Sequence, residues 1–247
     1  MIPNDHDFEV ERRESIKKMK NDLELRDKSL RWMQSADQYK YSYNFRWMGL
    51  PIIKYPNDIV ILQEIFWQVK PDLIIETGIA RGGSIIFSAS MQKMMDIQNA
   101  EVVGIDIYIT DETKEVIAKH ALSDKITIYE QSSTDDNIIK LLDPHIENKK
   151  SVLVILDSDH THKHVYKELK IYSQLVTVDS FLILPDTFIE FFSAGYYKDR
   201  EWDVGNNPYT ALSTFLSEDS NFVVDEYFNS KALISETVNG FVRRISK

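Results

Sequence analysis

The chain has no cysteine among its 247 residues, which excludes disulfides and thiolate chemistry. It is short of positive charge. Its 29 lysines and arginines face 39 acids, a formal net charge of −10, and a nucleic-acid surface would need a basic patch. No apolar run approaches the roughly 18 residues of a membrane span. The opening Met1-Ile2-Pro3-Asn4-Asp5-His6-Asp7 has no apolar signal core, so the cytoplasm is the expected location. Repeats and low-complexity tracts are absent as well. What the chain does have is 43% apolar residues and enough length for one domain with a full core.

The most informative stretch is Leu73-Ile74-Ile75-Glu76-Thr77-Gly78-Ile79-Ala80-Arg81-Gly82-Gly83-Ser84. An apolar run ends in an acid, then in a glycine-rich turn, then in a helix-like segment to Met91, the pattern of a strand–loop–helix that binds a nucleotide. Glycine lets the backbone turn sharply and come close to a ligand. A pyrophosphate asks for backbone N–H groups at a helix N-terminus. Without a strict G-x-G-x-x-G, and with Glu76 placed to meet an ammonium, the loop points away from a dinucleotide and toward S-adenosylmethionine. A nicotinamide-dependent enzyme remains the alternative.

Further strands are expected at Glu101–Ile107, Lys125–Glu130, Ser151–Asp157 and Ser180–Leu184. Between them lie the helical patterns Asp111–His120, Asp135–Leu142 and Thr161–Leu175. Such alternation implies right-handed crossovers and a parallel sheet covered on both faces. Asn221–Tyr227, Ala232–Ser235 and Gly240–Ile245 read as short strands joined without a helix, an antiparallel edge on that sheet. Residues 1–58 read as an N-terminal extension, helical over Asp7–Gln38 and aromatic over Tyr41–Pro51, serving as an oligomer contact or a lid. Residues 59–247 read as the catalytic domain, entered by a helix that Pro56-Asn57-Asp58 start.

Asp106 falls at the tip of the second strand, where an acid can accept hydrogen bonds from both ribose hydroxyls. Gln131, Ser132 and Ser133 follow the third strand, placed to reach an adenine edge. The fourth strand ends in Asp157-Ser158-Asp159-His160-Thr161-His162-Lys163-His164, and the fifth leads to Pro185-Asp186. Asp157 and Asp186 make a two-carboxylate site for a hard divalent ion such as Mg²⁺ or Mn²⁺. His160, beside them, suits a general base. His162 and His164 read as a solvated helix face. Phe188–Tyr197 reads as a cover for the acceptor.

The chain resembles the cephalosporin hydroxylase/rhamnosyl O-methyltransferase family. The likeness is carried by Trp47-Met48-Gly49-Leu50-Pro51, Lys54, Pro56-Asn57-Asp58, Gln63-Glu64-Ile65 and Lys70 through Gly78. It continues through Gly82-Gly83-Ser84, Gly104-Ile105-Asp106, Leu156 through His160, and Gly240 through Arg244. The resemblance covers about residue 43 to the C-terminus. It implies a Rossmann-like class I methyltransferase, with a mostly parallel seven-stranded sheet, an antiparallel C-terminal edge and an N-terminal helical region. It implies S-adenosylmethionine and Mg²⁺, and methylation of a hydroxyl, often on a sugar or glycosylated small molecule. A homo-oligomer is expected separately, from Leu30, Trp32 and Met33 at the end of the otherwise polar Asp7–Gln38 region. By position the resemblance implies Asp157 and Asp186 as metal ligands and His160 as catalytic base. Glu76, Thr77, Gly78, Gly82, Gly83, Ser84, Asp106, Gln131, Ser132, Ser133 and Asp157 would meet the cofactor. The family's Glu-Asp pair after the fifth strand is Pro185-Asp186 here, so one carboxylate ligand is missing and another residue or water would complete the site. A cofactor-binding protein without catalysis is the alternative this departure leaves.

Overall fold

The structure, a computed structural model, describes residues 6–246. Residues 1–5, the start of the extension read over 1–58, lie outside the described residues.

Two helices come first, α1 (His6–Asn21) and α2 (Leu23–Asp37), where the sequence reads as one helical stretch. Asp22 divides them: its carboxylate accepts from Leu25 N at 2.9 Å and caps α2. The aromatic stretch then folds as a hairpin of β1 (Phe45–Trp47) and β2 (Leu50–Ile52). Met48 (φ 46°) and Gly49 (φ 95°) are both left-handed, as a tight hairpin turn requires. Pro56 opens α3 (Pro56–Val69) at a position where a missing N–H does no harm.

The remaining chain alternates: β3 (Leu73–Thr77), α4 (Gly83–Met94), β4 (Glu101–Asp106), α5 (Asp111–Lys119), β5 (Ile126–Glu130), α6 (Ile138–Ile146), β6 (Val152–Leu156), α7 (His162–Tyr172) and β7 (Phe181–Ile183). Then come α8 (Pro208–Glu218), β8 (Phe222–Val224), α9 (Glu226–Lys231) and β9 (Phe241–Arg244). The seven-stranded sheet runs β5-β4-β3-β6-β7-β9-β8 and is parallel except for β9, which is reversed and inserted between β7 and β8. Every residue of β3 and β6 is buried, which accounts for the apolar runs Leu73–Ile75 and Val152–Leu156 and leaves Glu76 and Thr77 as buried polar residues at the end of β3. One core packs α3 and α4 on one face, with Ile65, Phe66 and Phe87 at its centre; the other packs α7 and α8, around Leu169, Tyr172 and Phe215.

Two details differ from the sequence reading. The end of the chain is not a run of strands: α9 separates β8 from β9, and residues 232–235 form no strand. Their polar groups turn to a side-chain partner instead, for Ser235 Oγ donates to Asp58 and Glu236 N donates to Asp58 Oδ2 at 2.9 Å. Helix α8 was not foreseen. Asn207 caps it in a reciprocal pair with Thr210, a signal present in the sequence but hidden among loop-like residues.

Candidate active site

The strand order reverses between β3 and β6, and ligands bind in open α/β sheets outside the carboxyl ends at such a point. A cavity of about 600 Å³ opens there. Its first wall is the turn between β3 and α4. Gly78 has φ 78°, and a Cβ on it would stand 1.9 Å from the carbonyl oxygen of Asp157. A Cβ on Gly83 would meet the Pro51 carbonyl oxygen at 2.1 Å. The glycines therefore let this turn wedge between β6 and the hairpin. Asp106 pins the turn, its Oδ2 accepting from Ile79 N at 2.9 Å and Ala80 N at 3.2 Å.

Gly78, Gly83, Ser84, Asp106, Ser132, Ser133 and Asp157 all line the cavity, as their positions suggest. Glu76, Thr77, Gly82 and Gln131 do not. Glu76 and Thr77 are wholly buried, Gly82 supplies a left-handed turn (φ 80°), and Gln131 donates its backbone N–H to Asp106 O. Among the described residues no group stands within close hydrogen-bond geometry of either Glu76 carboxylate oxygen, although the Ser84 side chain acts on it from nearby. Burial pushes it up to about 7, against the pull of Lys54.

The second wall holds the acids. Asp159 Oδ1 accepts from Thr161 N at 2.8 Å, a turn that sets His160 just ahead of α7. Asp186 stands in a left-handed conformation (φ 58°) after β7 and meets His160 Nδ1 at 3.1 Å. One ligand atom from each of Asp157, His160 and Asp186 can be chosen so that all lie within 4.8 Å of one another. Lys54 is buried and donates to Asp157 Oδ2 and Glu236 Oε1, each at 3.0 Å. Burial works to lower His160, but the charge and hydrogen bond of Asp186 override it and lift the imidazole to about 9. Burial lifts Asp157 to about 6 and Glu236 well above the usual range, with Lys54 opposing both. Burial works to raise Asp186, but the charge and hydrogen bond of His160, together with the charge of Lys54, hold it below its ordinary value. Five acids (Asp58, Glu76, Asp157, Asp186, Glu236) thus share two cations, Lys54 and His160, and the cluster is short of positive charge.

The third wall is aromatic: Tyr43, Tyr55, Phe188, Tyr197 and Trp202 line it, with Asp37 and Arg200 among them. Trp202 lies against the His160 ring, 4.8 Å between centroids. Phe188 and Tyr197 therefore cover the site as their segment suggests. Reasoning from sequence assigned no site role to Asp37, Lys54, Trp202 or Glu236. His164 is also not the solvated residue expected. Its Nε2 lies 3.1 Å from both Ser133 Oγ and Ser158 Oγ, at the cavity wall. The i, i+4 spacing to Glu168, a residue with no exposure at all, was the available signal.

Comparison with known proteins adds to this geometry. The family described as rhamnosyl O-methyltransferase/CmcI matches residues 39–245. A rhamnosyl O-methyltransferase of Mycobacterium leprae (strain TN) is 33% identical over 202 residues, 80% of this chain and 82% of its own length. One from Mycobacterium tuberculosis (strain ATCC 25618 / H37Rv) is 27% identical over 221 residues, 85% of this chain and 84% of its own. Among solved structures, CmcI with Mg and SAM superposes with a TM-score of 0.58 at 20% identity, covering 83% of this chain and 78% of that one. A putative caffeoyl-CoA O-methyltransferase from Staphylococcus aureus gives 0.52 at 13% identity, covering 77% and 84%. These two structures share the fold.

Proposed function

The chain belongs to the rhamnosyl O-methyltransferase/CmcI family, and from that premise we propose that it methylates a hydroxyl of a sugar or glycosylated small molecule with the help of a divalent cation. As a member it is an S-adenosylmethionine-dependent O-methyltransferase. The observation that carries the reading is the grouping of Asp157, His160 and Asp186 in one cavity with the glycine turn.

Both groups fit the residues present. Glu76, a buried carboxylate two residues before Gly78 but behind the cavity wall, would attract the ammonium of the methyl donor by its charge rather than by contact. Asp106, Ser132 and Ser133 suit its ribose and adenine. Asp157 and Asp186 would hold Mg²⁺ or Mn²⁺, because hard cations take carboxylate oxygens and the cluster lacks positive charge. When bound, the sulfonium supplies a methyl on a good leaving group, and the cation supplies charge that polarises the acceptor oxygen and offsets the acids' pull on His160.

The protein's own part is orientation and proton handling. His160, oriented through Nδ1 by Asp186, takes the acceptor's proton as its oxygen attacks. Lys54 holds Asp157 in place and Asp58 holds the segment that carries Glu236. Trp202 and Tyr197 flank the acceptor and exclude water. The methyltransferase unit spans 59–247, with 1–58 as its extension. Trp32 and Tyr39, exposed on that extension, support a homo-oligomer, and the cytoplasm is the proposed location.

The test uses labelled S-adenosylmethionine with rhamnosides and other glycosides. Label should pass to a glycoside, and S-adenosylhomocysteine should raise the melting temperature where NAD does not. Cofactor binding with no transfer to any glycoside would support binding without catalysis. Stabilisation by NAD alone would contradict the reading.

A further inference from the structure

The family match begins at residue 39, yet the last residue of α2, Asp37, enters the cavity from outside the matched stretch. Its position is costly, through the helix dipole, burial and the charge of Asp186, with the Tyr196 hydrogen bond as a partial offset. An acid at a helix C-terminus opposes the helix dipole. Half-burial removes part of its hydration, and burial together with Asp186 raises its affinity for a proton. A local choice that works against its own element marks a functional residue more often than a structural one.

The surroundings fit a ligand. Tyr196 Oη donates to Asp37 Oδ2 at 3.0 Å and also reaches Gln34 O at 3.3 Å. Ser193 Oγ donates to Gln34 Oε1 at 3.3 Å, so α2 clasps the segment that carries Tyr197 and Trp202. Among the described residues Tyr196 is the one hydrogen-bond donor to the Asp37 carboxylate, which leaves Oδ1 for a ligand. A carboxylate between aromatic faces recognises a sugar, accepting from hydroxyls while the rings cover its C–H face. Arg200, over the Trp202 ring at 5.0 Å, disfavours a cationic ligand in the same space.

We propose that Asp37 binds the acceptor, accepting a hydrogen bond from a sugar hydroxyl other than the one methylated, and so gives this chain an acceptor preference set outside the family-matched residues. The proposal rests on the sugar O-methyltransferase reading.

The experiment uses the full chain and p-nitrophenyl glycosides of rhamnose, fucose and glucose, with the monodeoxy forms of whichever sugar the wild type methylates. Asp37→Ala should raise the KM for the glycoside by about 10-fold or more, the loss of a hydrogen bond to a charged group. It should leave kcat within a few-fold and S-adenosylhomocysteine affinity within twofold. One monodeoxy glycoside should lose as much on the wild type and nothing further on Asp37→Ala. Tyr196→Phe keeps the carboxylate and loosens the clasp, and its KM should stay within about threefold of wild type. An unchanged KM for Asp37→Ala overturns the proposal while the sugar reading stands. An equal rise for Tyr196→Phe, or loss of S-adenosylhomocysteine binding in Asp37→Ala, overturns it in favour of a structural role. No binding or methylation of any glycoside by the wild type overturns the sugar reading and this proposal together.

Discussion

At the scale of single residues, Gly78, Asp106, His160 and Asp186 line the cavity and carry the proposed chemistry. No side chain fits at Gly78, where a Cβ would sit 1.9 Å from a carbonyl oxygen and φ is positive. Gly78→Ala is expected to destabilise the fold by about 1–3 kcal/mol or more and to abolish S-adenosylhomocysteine binding, read by thermal unfolding and calorimetry. Asp106→Ala is expected to weaken that binding by roughly 1.5–3 kcal/mol for each ribose hydrogen bond lost, and calorimetry that gives an unchanged Kd would remove the ribose assignment. His160→Ala should leave cofactor and metal binding intact and lower turnover by about 10²–10⁴, the usual contribution of a general base. A loss of metal affinity in that variant would make His160 a ligand instead. Asp106 and His160 were legible as cavity residues because they follow apolar strands, although Asp106 also has a structural task in pinning the glycine turn. Lys54 and Glu236 were not. Lys54 meets Asp157 across 103 residues of sequence and Glu236 across 182, and no local pattern encodes such a meeting.

The parallel strands and their helices were legible element by element, since double burial writes itself as β-branched runs and the tips carry the polar residues. The C-terminal segment was not, because Ser235 and Glu236 are held by the Asp58 side chain, a long-range meeting that no local pattern encodes. Helix α7 carries a titratable pair of its own. Burial works to lower His164, and the hydrogen bond and charge of Glu168 override it, raising the imidazole above its ordinary value. A raised pKa means that the folded state favours the charged form. That stabilisation is complete below the unfolded pKa near 6.5 and fades as pH rises through the folded value. The melting-temperature gap between wild type and His164→Gln should therefore be larger at pH 5 than at pH 9, and a gap independent of pH would show the pair to be uncharged. Helix α2 is tied down by Met33, which is completely buried against Tyr55 and Phe188. Met33→Ala is expected to cost about 2–5 kcal/mol in chemical denaturation, whereas a negligible cost would mean that α2 docks through its polar contacts alone.

Across the whole molecule, one cavity joins three parts of the chain: the glycine turn, the ends of β6 and β7, and the N-terminal extension with its aromatic partners. The sequence located the first two, and read the extension as an oligomer contact or lid and Phe188–Tyr197 as a cover. The entry of Asp37 and Trp202 required the fold, because α2 reaches the cavity only by packing across the segment before α8. On the proposed function, Asp157 and Asp186 would hold a divalent cation at the reacting hydroxyl. Methyl transfer from labelled S-adenosylmethionine to a glycoside, measured before chelation, after chelation and after Mg²⁺ is restored, tests this most directly. Turnover should collapse with chelator and return with Mg²⁺ in the wild type, and should not return in Asp157→Asn, where a carboxylate ligand to a hard cation is lost. Turnover untouched by chelation, with Asp157→Asn as active as the wild type, would contradict the account.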